Sequence, residues 1–371
     1  MSTAQQPANR ASRAIVIGFC AVLAAAWVVP GAPVDENRAR TEFPAFSRGG
    51  LASASDFRVV DAALIDRLGL KGDVVGAVGS ALLAANVSTS PQVFLGPQGD
   101  TFFAPDFSLA CEQRPLIPDA VTRIRALRDT LQRRGIDFVY AIAPDRTSIE
   151  RDSLGPLTDP LMRCSDAVRA DLEAAAAQPG SPLLVGWDEV EAVPGDRYIE
   201  GDTHWSGEAA VVFSRLLVDR LGADGVAEPG LFDPADVHPD VTVDYVGGLY
   251  ALLGVDRSVP VTLYTTVRDG VTVTYEHEEH DGAVSQRWTS TGPGLIPGRT
   301  LILHDSFFYM EDSVLAPYFA DLTSLPVTSL SAPGVLATLD GYDHVIVQQV
   351  QRTVPAFLDQ IESAGWITSG R

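Results

Sequence analysis

Basic residues are scarce in this chain: 27 lysines and arginines face 48 aspartates and glutamates, a formal net charge of −21 over 371 residues. A field of that sign repels phosphate backbones and excludes nucleic acid as a natural partner. Cysteine is scarcer still, with three in all. Cys20 lies in an N-terminal apolar run, so outside that run one bridge at most can form, Cys111 to Cys164. It would close a loop of about 52 residues, for which the chain-entropy relation gives roughly 4 kcal/mol; two unrelated buried thiols are the alternative. Internal repeats are missing, and low-complexity tracts are missing outside the termini, which excludes a solenoid. The stretch Glu276-His277-Glu278-Glu279-His280 has no third strong ligand nearby in sequence and reads as a solvated acidic turn, so neither a metal nor a cofactor is implied.

One long hydrophobic run is present. Arg10 and Arg13 precede it, Ala14 to Val29 carry no charge, and Pro30, Gly31 and Pro33 close it before Asp35 and Glu36. As a helix it would rise roughly 24 Å, slightly short of a typical hydrocarbon core. Positive charge before and negative charge after place residues 1–13 in the cytoplasm, make 14–30 a transmembrane anchor and put the body outside. A cleavable signal, processed near Ala24-Ala25-Ala26, is the rival reading. Under both readings the body is exported. Residues 31–60 look like a stalk, and 61–371 like one folded domain.

Within that domain helical and strand patterns alternate. Val121, Ile124, Leu127 and Leu131 recur at helical spacing until Gly135. The apolar strand Ile136–Ala143 follows, ending at Pro144. A helix around Ala167–Ala177 precedes the strand Leu183-Leu184-Val185. Ala209, Val212, Phe213, Leu216 and Leu217 form the face of another helix, with Ser206 placed to cap it. Thr300–Leu303 and His344–Val347 read as strands, with a helical stretch at Val314–Ala320 between them. Continuous apolar strands separated by helices predict an α/β fold with a mostly parallel sheet covered on both faces. At about 255–290, Val261–Tyr264 and Gly270–Tyr275 predict the strands of a β-hairpin insertion.

Two segments carry chemistry-bearing residues. Gly201-Asp202-Thr203-His204-Trp205-Ser206 stands just before a helix, and His304-Asp305-Ser306-Phe307-Phe308 just after a strand. Loops beyond the carboxyl ends of parallel strands are where such sheets bind ligands. A serine hydroxyl is a weak nucleophile until an imidazole takes its proton, and the imidazole needs a carboxylate to fix its tautomer. Two residues apart on an extended loop, Asp202 and His204 can supply that pair to Ser306. The Ser306 N–H, at the start of a helical turn, can donate to a developing oxyanion. The competing reading makes Asp202, Ser206 and Ser306 helix caps and His204 a hydrogen-bonded loop residue.

Asp202-x-His204-Trp205-Ser206, followed about a hundred residues later by Asp305-Ser306-Phe307, resembles the AlgX/AlgJ-like branch of the SGNH hydrolase superfamily, the alginate O-acetyltransferase family. Other pieces match in order: Glu36-Asn37-Arg38 with Phe43-Pro44, the strand ending in Ala143-Pro144-Asp145-Arg146, Gly248–Gly254, and Gln351-Arg352 after a Val/Ile-rich strand. Three positions depart from that pattern: His304 for a glycine, Gln351 for a glutamate and Arg146 for a lysine.

The resemblance implies an SGNH-hydrolase-like three-layer catalytic domain using Ser306, His204 and Asp202, with Arg352, Trp205, Arg146 and Tyr309 as substrate contacts. Arg352 has a second reading, as a structural ion-pair partner. The implied activity is O-acetylation of an exported polysaccharide or other cell-envelope glycan outside the cytoplasm. The implied partners are a membrane-bound O-acyltransferase as acetyl donor and the polysaccharide acceptor. An exported or anchored carbohydrate esterase using water as acceptor is an alternative, as is a non-catalytic glycan-binding scaffold. No carbohydrate-binding module is expected after Arg352.

Overall fold

The computed structural model describes residues 71–280, 283–328 and 341–363. The expected tail at 1–13, anchor at 14–30 and stalk at 31–60 lie outside these residues. Among the described residues no helix is long and apolar enough to cross a membrane. The described residues fall in two compact units, one of 71–89 and 251–256, the other of 90–250, 257–280, 283–328 and 341–363. In the first, helix α1 (Lys71–Ala84) packs on the turn at Leu253–Gly254. A Cβ at Gly79 would come within 2.6 Å of the Leu253 carbonyl oxygen, so the approach requires glycine.

The second unit holds β1 (Val93–Leu95), β2 (Thr101–Phe103), α2 (Pro105–Gln113), α3 (Ile117–Gln132), β3 (Asp137–Ala143), α4 (Asp159–Ala176), β4 (Leu183–Val185) and α5 (Gly207–Ala223). It continues through β5 (Val237–Val246), β6 (Ser258–Thr266), β7 (Thr272–His280), β8 (Ala283–Thr291), β9 (Ile296–His304), β10 (Phe319–Pro326), β11 (His344–Val350) and α6 (Val354–Ser363). Seven strands form the main sheet, in the order β4-β3-β11-β9-β10-β8-β7. From β4 to β10 every neighbouring pair is parallel; β8 and β7 join antiparallel at the far edge.

Strand alternation divides the apolar side chains between two faces. Phe138, Tyr140, Leu301, Leu303, Val345 and Val347 pack in one core with Ile117, Ile124 and Leu127 of α3, and Phe357 and Leu358 of α6. Val139, Ile302 and Ile346 point the other way and meet Leu217, Val218 and Leu221 of α5. Helices therefore cover both faces of a mostly parallel sheet, as the continuous apolar strands predict. Ser206 caps α5, its hydroxyl accepting from the Ala209 N–H at 3.2 Å.

Two expectations are corrected. The stretch Val314–Ala320 is not one helix: a single turn, Asp312–Leu315, gives way at Pro317, and β10 starts at Phe319. Proline cannot donate to a continuing helix. The polar Asp321, Thr323 and Ser324 hide a strand that is central because β9 and β8 flank it. Nor do the segments at 261–264 and 270–275 pair with each other. Within β6 the first pairs with β5, forming a separate two-stranded ribbon, and within β7 the second pairs with β8. Pro239 disguises β5 in the sequence, and a register shift between Pro239 and Thr242 accommodates it.

Cys111 of α2 and Cys164 of α4 are joined in a disulfide spanning a sequence separation of 53. Loop closure of that length stabilises the folded chain by about 4 kcal/mol in the entropic account. Urea unfolding with and without reductant is expected to differ by an amount of that order, with Cys111→Ser giving the same loss. A difference below about 1 kcal/mol would show that the bridge constrains the unfolded chain very little.

Candidate active site

Parallel strands deliver their carboxyl ends to one edge of the sheet. Asp145 follows β3, Ser306 follows β9 and Arg352 follows β11, three strands that lie side by side. Asp305 ties this edge together. Its Oδ2 accepts from the Val350 N–H at 2.7 Å, its Oδ1 from the Phe307 N–H at 3.0 Å, and its own N–H donates to the Gln348 carbonyl. The single turn Ser306–Met310 starts there and leaves the Ser306 side chain exposed. Among the described residues the Ser306 N–H donates to no protein acceptor.

The loop before α5 brings the other two residues. His204 Nε2 lies 2.7 Å from Ser306 Oγ, and its Nδ1 lies 2.5 Å from Asp202 Oδ1. An ionised carboxylate can only accept, so Nδ1 carries a proton and Nε2 is the acceptor for the serine hydroxyl. The loop is a tight turn instead of the expected extended segment. Asp202 Oδ1 also accepts from the N–H groups of Thr203 and His204, at 2.7 and 2.8 Å, an Asx-type turn that folds the histidine back over the carboxylate. Oδ2 accepts from the Gly248 N–H at 2.5 Å and the Tyr245 hydroxyl at 3.0 Å. Burial alone would raise the Asp202 pKa, but the bonds from His204 and the backbone outweigh it and hold the carboxyl well below the usual carboxylate range. Gly247 makes the approach possible: a Cβ there would sit 2.2 Å from the Gly201 carbonyl oxygen.

The four expected substrate contacts separate. Trp205 is fully buried; its Nε1 donates to the Phe307 carbonyl at 3.0 Å and its ring meets Phe307 edge-on, so it braces the serine turn and cannot touch a substrate. Arg146 is 6% exposed and also faces inward: Nη1 donates to the carbonyls of Ile199 and Asp202, both at 3.0 Å, and Nε to Glu150. It clamps the loop that carries Asp202. Arg352 adopts its ion-pair reading. It bonds Asp145, lies 3.7 Å from Asp106, and its guanidinium stands over the Phe307 ring. Tyr309 alone remains available, 49% exposed with its ring edge against His304.

The sequence offers no cue to Tyr245, or to the role of Asp106. Gly248 and Asp145 lie within stretches that resemble the family, where their roles could be suspected. Among the described residues no cluster of three or more metal-ligating side chains occurs, and His277 is exposed in β7.

An α/β sheet with an Asp-x-His loop and a strand-end serine meeting at its carboxyl edge is the architecture of an SGNH-hydrolase-like domain. The chain belongs to the family described as "SGNH hydrolase-like domain, acetyltransferase AlgX", whose pattern matches residues 93–284, more than half of its length. It is 26% identical over 182 residues to the "Probable alginate O-acetylase AlgJ" of Pseudomonas putida, a match covering 49% of this chain and 46% of that protein. The chain thus spans about half the length of the curated relative it matches. Among solved structures it is similar to the O-acetyltransferase domain of Pseudomonas putida AlgJ, with 19% identity, 74% of this chain and 100% of that one covered, and a TM-score of 0.48. It is also similar to Bacillus cereus PatB1, with 14% identity, 65% and 91% covered, and a TM-score of 0.48.

Two buried titratable groups yield predictions. Replacing Arg352 with methionine leaves Asp145 and Asp106 uncompensated in the interior and is expected to lower the unfolding free energy by about 3–5 kcal/mol. Unchanged stability with a raised KM would instead restore Arg352 as a substrate contact. His304, fully buried with Nδ1 donating to the Asp305 carbonyl, has its pKa pushed down to about 4 by burial. Between pH 6.5 and 4 the unfolded chain binds a proton that the folded one refuses, so this contribution to stability is lost as pH falls. From pH 7.5 to 5 the loss from this residue is about 2 kcal/mol. Denaturation at both pH values is expected to show a correspondingly smaller drop in His304→Gln; parallel drops would refute the assignment.

Proposed function

We propose that this chain is an extracytoplasmic O-acetyltransferase that moves an acetyl group through Ser306 onto hydroxyls of an exported polysaccharide or cell-envelope glycan. One observation carries the reading: in a chain of the acetyltransferase AlgX family, Nε2 of a histidine whose other nitrogen is fixed by a buried aspartate lies 2.7 Å from an exposed serine hydroxyl. In the first half-reaction Ser306 Oγ attacks the donor's acetyl carbonyl while His204 Nε2 takes its proton. The tetrahedral oxyanion forms beside the unengaged Ser306 N–H. Collapse expels the donor's leaving group, which receives the proton from His204. In the second, a sugar hydroxyl gives its proton to His204, attacks the acyl-serine, and Ser306 leaves with that proton. Asp202 stays ionised throughout, stabilising the imidazolium.

The donor in this reading is a membrane-bound O-acyltransferase, the acceptor is a polysaccharide, and residues 14–30 hold the domain at the membrane, or are removed as a signal. Transfer can outrun hydrolysis because a bound, oriented hydroxyl reaches effective molarities of about 10⁵ M or more. The exposure of Ser306 favours one rival, an esterase using water as acceptor.

A chromogenic acetyl ester supplied with oligosaccharides distinguishes the two. Acetylated sugar formed by the wild type, with turnover lowered by at least about 10³-fold in Ser306→Ala and His204→Ala, is the expected result. Ester hydrolysis with no acetylated sugar selects the esterase, and glycan binding without turnover, indifferent to Ser306→Ala, rejects catalysis.

A further inference from the structure

The Asp202 carboxylate draws its donors from two directions. Oδ1 is served entirely by its own loop, through Thr203 and His204. Oδ2 is served from the end of β5, by the Gly248 N–H and the Tyr245 hydroxyl. A carboxylate is planar, so holding Oδ2 sets the plane in which Oδ1 meets the imidazole. The two Oδ2 donors differ in kind. Gly248 presents backbone, secured by the close passage of Gly247 over Gly201. Tyr245 reaches in from the β5–β6 ribbon, which is separate from the seven-stranded sheet and whose β5 strand is exposed from His238 to Val246.

We infer that Tyr245 is a positioning residue for the proposed acyl transfer: its hydroxyl holds Asp202 Oδ2, and through it the orientation of His204 toward Ser306. The residue is 36% exposed, which places this control on the ribbon surface. Burial and the Asp202 charge raise the phenol pKa, so the hydroxyl remains a donor across the neutral range. Purely as packing, a half-exposed phenylalanine would serve equally well. The aspartate contact is what requires the oxygen.

This inference rests on Ser306 being the nucleophile, and the test separates the two claims. Ser306 is labelled with phenylmethylsulfonyl fluoride and followed by intact mass from about pH 5 to 9 in wild type, Tyr245→Phe and the surface control Tyr275→Phe. Tyr245→Phe is expected to stay folded with a modestly lowered melting temperature and to be labelled about ten-fold more slowly, the scale of one lost hydrogen bond to a charged group. Its pH–rate curve is displaced, and acetyl-ester turnover loses kcat at unchanged KM, while Tyr275→Phe behaves as wild type. Equal rates with superimposable pH curves overturn the inference and leave the Ser306 reading standing. A lowered melting temperature with an unmoved pH curve assigns Tyr245 to packing and overturns it equally. A wild type that is never labelled at Ser306 removes both claims together.

Discussion

The site depends on one buried carboxylate whose lone pairs are all spoken for. Asp202 is 1% exposed, and an unpaired ion at that depth would instead take up a proton. His204 and the Gly248 N–H reverse that balance, and each of the five donors does structural work: two make the turn, one fixes the imidazole, and two bring in the end of β5. The ionised state of one side chain is thus the shared condition for loop shape, histidine tautomer and ribbon placement. The surrounding residues guard it. Arg146 clamps the loop from behind through the Asp202 carbonyl, and Trp205 ties it to the Phe307 carbonyl beside the serine.

A second buried arrangement supports the turn that carries the serine, through Phe307. Arg352 lies between Asp145 and Asp106 and over the Phe307 ring, joining the ends of β3 and β11 to α2. Burial raises the pKa of both carboxyls, Asp106 further because Asp145 repels its charge, while the guanidinium opposes the rise. The positive charge near the serine therefore serves interior carboxylates and is not free to meet an anionic acceptor.

Much of this was legible in the sequence. Continuous apolar runs announced β3, β4, β9 and β11 because strands buried on both faces cannot alternate, and α3 kept a clean helical stripe. Ser306, His204 and Asp202 stood out because their residue types and loop settings leave few common chemistries. Burial was not legible: a tryptophan and two arginines near a motif look like substrate contacts until the fold turns them inward. β10 and β5 escaped because Thr323, Ser324 and Pro239 mask strands whose places are set by distant partners. Tyr245 escaped for the same reason, since its contact with Asp202 joins residues 43 apart.

The exposure of the Ser306 side chain has a kinetic corollary. Under the proposed acyl transfer, an ester formed there would stand open to water. Its half-life would then act as a clock: the next hydroxyl would have to be seated before spontaneous leakage emptied the site. Delivery of donor and acceptor in close succession, instead of storage of the acylated intermediate, is the operating regime that the proposed transfer implies for so open a hydroxyl.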